Sequence, residues 1–68
     1  MCIKNLMEQF EIEGAFRIKV WDEEIEDYVT LSEGSDFRYE NTDIDEEILE
    51  REITYMYAVD GMLNIEVE

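Results

Sequence analysis

The strongest constraint on the fold is the dipeptide Asp60-Gly61, which separates two segments of alternating side chains, residues 53–59 and 62–67. Asp-Gly is among the best formers of a two-residue type I′ turn, because both central residues of that turn have a positive φ. The alternation on either side is typical of strands with one buried face. The sequence therefore predicts a β-hairpin at this end of the chain.

Pairing Val59 with Met62 across that turn fixes the register of the whole hairpin, because successive side chains of a strand point to opposite faces. One face is then expected in the core and the other on the outside of the sheet. On the predicted core face, Ala58 lies opposite Leu63, Met56 opposite Ile65 and Thr54 opposite Val67. On the predicted outer face, Tyr57 lies opposite Asn64 and Tyr55 opposite Glu66.

A second hairpin is predicted nearer the start of the chain, with strands over residues 15–21 and 28–32. The first strand has Phe16, Ile18 and Val20 on one face. The acidic run 22–27 has no periodic apolar face, so it is expected to form the loop. The expected pairs are Val20 with Val29, Ile18 with Leu31 and Trp21 with Tyr28, which would turn Val29 and Leu31 inward and leave a Trp-Tyr pair outside.

One short helix is expected before each hairpin. Residues 3–11 form the first, which ends by Gly14, and its buried face carries Ile3, Leu6, Met7 and Phe10 at three-and-four spacing. Residues 44–51 form the second, in which Asp43 is the N-cap of a capping box with Glu46. Its expected buried residues are Ile44, Ile48 and Leu49.

The intervening residues 33–42 are rich in turn formers and are predicted to be a connection, from which Phe37 can reach the core. The order helix, hairpin, helix, hairpin predicts one α+β domain over residues 1–68, with a mostly antiparallel sheet and helices on one face. The hydrophobic fraction of 46% favours a folded domain over a disordered acidic tail, despite a net charge of -15.

The acidic balance restricts the class of partner. The chain has 20 acidic against 5 basic residues, whereas direct binding to nucleic acid or to an anionic membrane needs clustered Lys and Arg. A basic protein surface is therefore the expected partner. No basic segment followed by an apolar run opens the sequence, and no apolar stretch approaches the ~20 residues that span a bilayer, so the expected location is the cytoplasm.

Few residues are suited to catalysis or to cofactor binding. The chain has no His and one cysteine, Cys2, which excludes an internal disulfide. Asp43, Asp45 and Glu47 alternate like the start of a calcium loop, but Ile48 stands where such a loop needs Gly. We therefore predict no enzymatic activity, no catalytic residues, no metal site and no cofactor.

The candidate binding residues are the aromatic side chains of the predicted outer face together with the acidic loop. Aromatic residues on an open sheet face either shield the sheet or form an interface, because Tyr and Trp are enriched among binding hot spots. The interface could serve a partner protein or a second copy of the chain. The set comprises Trp21, Tyr28, Tyr55, Tyr57, Asp22, Glu23, Glu24, Glu26 and Asp27.

The size of the charge suggests a further alternative. A folded chain of this length is expected to be about 28 Å across, and duplex DNA carries roughly 16 charges over that length. The net charge of -15 is of the same order. The charge could therefore imitate nucleic acid, or it could serve solubility alone.

The short helix followed by hairpins with acidic loops, the length and the acidic balance resemble small proteins of bacteriophages and mobile elements. These include anti-CRISPR and other anti-defence proteins that mimic DNA. The resemblance is one of type over the whole chain and implies a protein-binding inhibitor. The leading hypothesis is an acidic module that occupies a basic surface, such as that of a nucleic-acid-binding protein. The alternative is a small oligomerising accessory protein whose aromatic face joins subunits as a homodimer.

Overall fold

The computed structural model describes residues 1–40 and 44–68 and has an α+β architecture with a four-stranded mixed sheet. The elements follow one another as α1 (Ile3–Gln9), β1 (Ala15–Asp22), β2 (Asp27–Gly34), α2 (Phe37–Glu40), α3 (Glu46–Leu49), β3 (Ile53–Val59) and β4 (Met62–Val67). The Cα radius of gyration is 11.3 Å. That value agrees with the ~11 Å expected for a folded chain of this length.

The sheet joins the two predicted hairpins through its central strands. Its strand order is β2-β1-β4-β3, and the pairs β1–β2 and β3–β4 are antiparallel. The pair β1–β4 is parallel, so that Ile18 lies opposite Ile65 and Val20 opposite Val67. Strands β2 and β3 are consequently the two edges of the sheet.

The C-terminal hairpin follows the predicted register over most of its length. Asp60 and Gly61 have φ values of 51° and 74°, as a type I′ turn requires, and the five pairs from Val59–Met62 to Tyr55–Glu66 are confirmed. The predicted pairing of Thr54 with Val67 is wrong. The register shifts so that Ile53 lies opposite Val67, and the Thr54 hydroxyl donates to the Glu66 carbonyl at 3.2 Å. The shift allows Ile53 to pack against the core.

The first hairpin is also interrupted by an irregularity. The pairs Val20–Val29 and Trp21–Tyr28 are confirmed. The predicted pair of Ile18 with Leu31 is wrong, because a register shift beside Ile18 places Ser32 opposite it. Leu31 still packs against the core, whereas Val29 is 36% exposed.

The core combines side chains from the central strands and from the segments that precede and follow them. Phe37 is buried and makes an edge-to-face contact with Phe16, with ring centroids 5.0 Å apart. The buried apolar residues are Ile3, Leu6, Phe16, Ile18, Phe37, Ile44, Ile65 and Val67. The sequence predicts a core position for each of these residues. Leu63 is only partly buried, and Met56 is 42% exposed because β3 lies at the edge of the sheet.

The helical segments are shorter than the periodicity suggests. Helix α1 ends at Gln9, and the extended backbone of Phe10 leaves that side chain 57% exposed, so its predicted burial is wrong. Helix α3 has four residues, with Asp45 as its N-cap. The predicted N-cap Asp43 lies outside the described residues. A further four-residue helix, α2, occurs within the predicted connection.

Candidate binding surface

The four predicted aromatic residues lie on the face of the sheet opposite the core side chains Phe16, Ile18 and Ile65. Trp21 and Tyr28 face each other across β1 and β2, with ring centroids 5.2 Å apart and an interplanar angle of 75°. Tyr55 and Tyr57 are neighbours on β3, with centroids 5.5 Å apart. We call these four residues and Val59, which shares their face, the aromatic face.

Lys19 connects the two aromatic pairs. Its Nζ lies 4.8 Å from the centroid of the Tyr28 ring and 4.9 Å from that of Tyr57, and it donates a hydrogen bond to the Tyr57 hydroxyl. A cation at that distance from an aromatic ring is attracted by its negative face. Lys19 therefore holds side chains from β2 and β3 against the centre of the aromatic face.

Glu66 provides the second polar link across the aromatic face. The Tyr28 hydroxyl donates to Glu66 Oε1 at 2.7 Å. This hydrogen bond, together with desolvation and the charge of Glu66, raises the pKa of Tyr28 above its usual value. Lys19 and Glu66 are opposite one another in the parallel pair β1–β4. Their roles could not be predicted without that pairing.

We expect Glu66→Gln to return the pKa of Tyr28 towards its usual value near 10, because the substitution removes the carboxylate that favours the neutral phenol. The wild-type hydrogen bond should stabilise the fold fully below that pH and be lost as pH rises through the higher folded pKa. The measurement is an NMR titration of the Tyr28 ring carbons. Glu33→Gln is the control, and an unchanged Tyr28 pKa in Glu66→Gln would contradict the assignment.

Much of the aromatic face is accessible. Trp21 is 49% exposed, Tyr55 is 60% exposed and Val59 is 50% exposed. Tyr28 is 40% exposed, while Tyr57, which contacts Lys19, is half-buried. Side chains of this size, left open to solvent around a fixed polar centre, form a surface that a partner could cover.

The acidic loop, residues 22–27, is shaped by its own carboxylates. Asp22 Oδ1 accepts from the Glu24 amide at 2.9 Å, and Asp27 Oδ1 accepts from the Tyr28 amide at 2.7 Å. Glu26 has a φ of 53°. Asp22 is partly buried at the end of β1, and the side chains of Glu23, Glu24, Glu26 and Asp27 are exposed.

The acidic loop adjoins the aromatic face at Trp21. The indole and the side chains of Glu23 and Glu26 line one open depression with a volume of about 500 Å³. Because β1 and β4 are parallel, the loop lies at the end of the sheet where β4 finishes and β3 begins. The structure thus places the four aromatic residues on one face of the sheet, and the five acidic residues in the loop at the end where Trp21 and Tyr28 lie.

The carboxylates of the acidic loop form no ion pair with the described part of the chain. The ion pairs of the arginines lie elsewhere: Arg17 with Glu33 at 3.1 Å, Arg38 with Glu13 at 2.9 Å, and Arg51 with Glu47 at 3.5 Å. Within residues 1–40 and 44–68, no ion pair involves the acidic loop. Its negative charge is therefore available to an outside cation.

In the described ranges, no group of three or more Asp, Glu or Cys side chains is placed to hold a metal ion. No helix in that part of the chain is long and apolar enough to cross a membrane.

Comparison with protein-family models, with curated proteins and with solved structures gave no match for this chain.

Proposed function

We propose that this chain is a non-enzymatic acidic binding protein of the cytoplasm that occupies a basic surface on a partner protein. The observation that carries the proposal is the acidic loop, whose exposed carboxylates lack cationic partners among the described residues and adjoin the exposed indole of Trp21. Complementary charge would accelerate encounter with the partner, and burial of the aromatic face would prolong the complex.

We place the helices on the face of the sheet opposite the aromatic face. This placement is supported by one buried cluster that contains Ile3, Leu6 and Phe37 together with Ile18 and Ile65. This arrangement leaves the aromatic face uncovered by the helices and available for a partner.

A nucleic-acid-binding protein is the class of partner that the charge fits best. The longest dimension of the molecule is 34 Å. Duplex DNA presents about 20 charges over that length, which is comparable with the net charge of -15. A groove built for DNA would attract a body of this size and charge, as the resemblance to DNA-mimicking anti-defence proteins implies.

The test is capture of basic proteins from a bacterial lysate on the immobilised chain, at low and at high salt. The loop variant combines Glu23→Gln, Glu24→Gln and Glu26→Gln. The control variant removes the same charge outside both the loop and the edge of β3 through Glu8→Gln, Glu11→Gln and Glu46→Gln, all at exposed positions. We expect the wild type and the control variant to retain a basic nucleic-acid-binding protein that high salt or duplex DNA releases.

The loop variant should retain much less of that protein. Equal retention by the loop variant, or retention that duplex DNA does not reduce, would contradict the proposal. Capture of acidic proteins alone would contradict it as well.

A second candidate function is self-association through the aromatic face. The exposure of Trp21, Tyr55 and Val59 favours it. The net charge of -15 on each copy opposes it, because the two bodies would repel one another. Light scattering distinguishes the two functions, since a stable homodimer that Tyr57→Ala dissociates would favour this one.

A further inference from the structure

We propose that the free edge of β3 is a docking site for an extended, basic-flanked segment of the partner protein, which adds to the sheet as a fifth strand. This inference rests on the proposed function for the charge of the partner. It adds the site and the conformation in which the partner would bind.

The edge strand β3 carries no charge at all. Its sequence, Ile-Thr-Tyr-Met-Tyr-Ala-Val, is the longest uncharged run in a chain of which 37% of residues are charged. Natural sheet edges are usually protected by charged side chains, Pro, bulges or a covering segment, because unpaired backbone groups recruit other strands. The absence of charge along this edge is therefore unusual for a protein of this composition.

The opposite edge shows the protection that β3 lacks. Strand β2 begins with Asp27, has Glu33 near its end and contains the irregularity at Leu31. Charged side chains hinder the addition of another strand, and β3 has none, although it has a register shift of its own between Ile53 and Tyr55. The two edges thus differ in charge, which is one of the features that control strand addition.

From Tyr55 to Val59, the backbone of β3 offers a regular set of pairing groups. The two-residue turn makes Val59 and Met62 a hydrogen-bonded pair, and the antiparallel alternation then directs the amides of Ala58 and Met56 away from β4. The side chains of Tyr55, Met56, Ala58 and Val59 are exposed. A new strand could therefore form backbone hydrogen bonds at Ala58 and Met56 without displacing a described element.

One end of this edge already pairs with an added segment. Cys2 forms an antiparallel bridge with Glu52, and the Ile53 amide donates to the Met1 carbonyl at 2.8 Å. Among the described residues, no pairing of this kind continues beyond Ile53. Beyond the register shift at Thr54, the outer side of the edge from Tyr55 to Val59 is left unpaired by the described residues.

The charges around the edge favour a basic occupant over a second copy. Asp60 follows β3 and Glu66 lies on the neighbouring strand, whereas Glu52, which precedes β3, is paired with the N-terminal ammonium at 2.8 Å. A strand with lysine or arginine at both ends would place its cations near these carboxylates, whereas a second copy would bring its own carboxylates close to them. In strand addition of this kind, main-chain hydrogen bonds provide the affinity, and contacts of alternate side chains provide the specificity.

The test uses two labelled peptides of equal length and charge, with two lysines at each end. The strand peptide has alternating threonine and valine between the lysines, and the flexible peptide has glycine and serine. We expect the strand peptide to bind more tightly and to slow hydrogen exchange at the amides of Met56 and Ala58. N-methylation of the Ala58 backbone nitrogen, introduced by chemical synthesis, should weaken that binding by about tenfold and leave the flexible peptide unaffected.

The outcomes separate this inference from the proposed function. Equal binding of both peptides, lost in the loop variant but unchanged by N-methylation, would overturn the docking edge and support the acidic surface. Binding that N-methylation weakens but that high salt and the loop variant leave unchanged would support strand addition at the edge, and would overturn both the acidic function and the basic character of the occupant. A homodimer that N-methylation converts to monomer would identify a second copy as the occupant and overturn the basic strand. Binding of neither peptide, without exchange protection, would overturn the docking edge.

Discussion

Ile18→Ala and Ile65→Ala should each lower the free energy of unfolding by about 2 to 5 kcal/mol. Both side chains are fully buried, and they lie opposite one another in the parallel pair at the centre of the sheet. Small domains have total stabilities of about 5 to 15 kcal/mol, so either loss would remove a large share. Urea denaturation followed by circular dichroism measures the effect.

Met56→Ala and Tyr55→Ala are the matched controls, because both residues lie on the adjacent strand and are 42% and 60% exposed. Each should cost less than the core substitutions. If Ile18→Ala leaves no folded protein, Ile18→Val should still cost about 0.5 to 1.5 kcal/mol. A loss in Met56→Ala as large as that in Ile65→Ala would contradict the assignment of the core.

The features that the sequence predicts well are those set by neighbouring residues. The Asp60-Gly61 turn depends on the φ preferences of two residues, and the alternation beside it assigns Tyr55 and Tyr57 to one face. The burial of Ile3, Leu6 and Phe16 also follows from local periodicity. These signals are enough to place the aromatic residues of the candidate surface correctly.

The features that the sequence does not predict depend on contacts between distant segments. The irregularities at Leu31 and Thr54 are favoured by how each strand packs, so the alternating pattern does not reveal them. The parallel pairing of β1 with β4 sets Lys19 beside Glu66, and these two side chains form the polar centre of the aromatic face. The pattern of charges predicts the acidic loop but does not reveal that β3 lies at an edge of the sheet.

The largest effect on binding should come from ionic strength. Steered association between charged proteins slows steeply as salt shortens the range of the field, and the Debye length is already ≈ 8 Å at 0.15 M. We expect the association rate constant with the captured partner to fall by about tenfold or more between low and high salt. Tyr55→Ala should mainly raise the dissociation rate constant, by about tenfold, because an aromatic hot spot acts on the lifetime of the complex.

Rate constants from surface plasmon resonance or stopped-flow fluorescence would separate these two effects. A change in association caused by Tyr55→Ala, with dissociation unaltered, would contradict the role of the aromatic face. Unfolding measurements on the same variant exclude a loss of structure as the cause.

The most direct test of the acidic binding surface is the association rate constant of the loop variant compared with that of the control variant at low salt. Both variants remove three negative charges, but only one removes them beside Trp21. A local acidic site predicts that the loop variant associates markedly more slowly than the control variant, and that this difference disappears at high salt. Equal association rates for the two variants would contradict a binding site at the acidic loop.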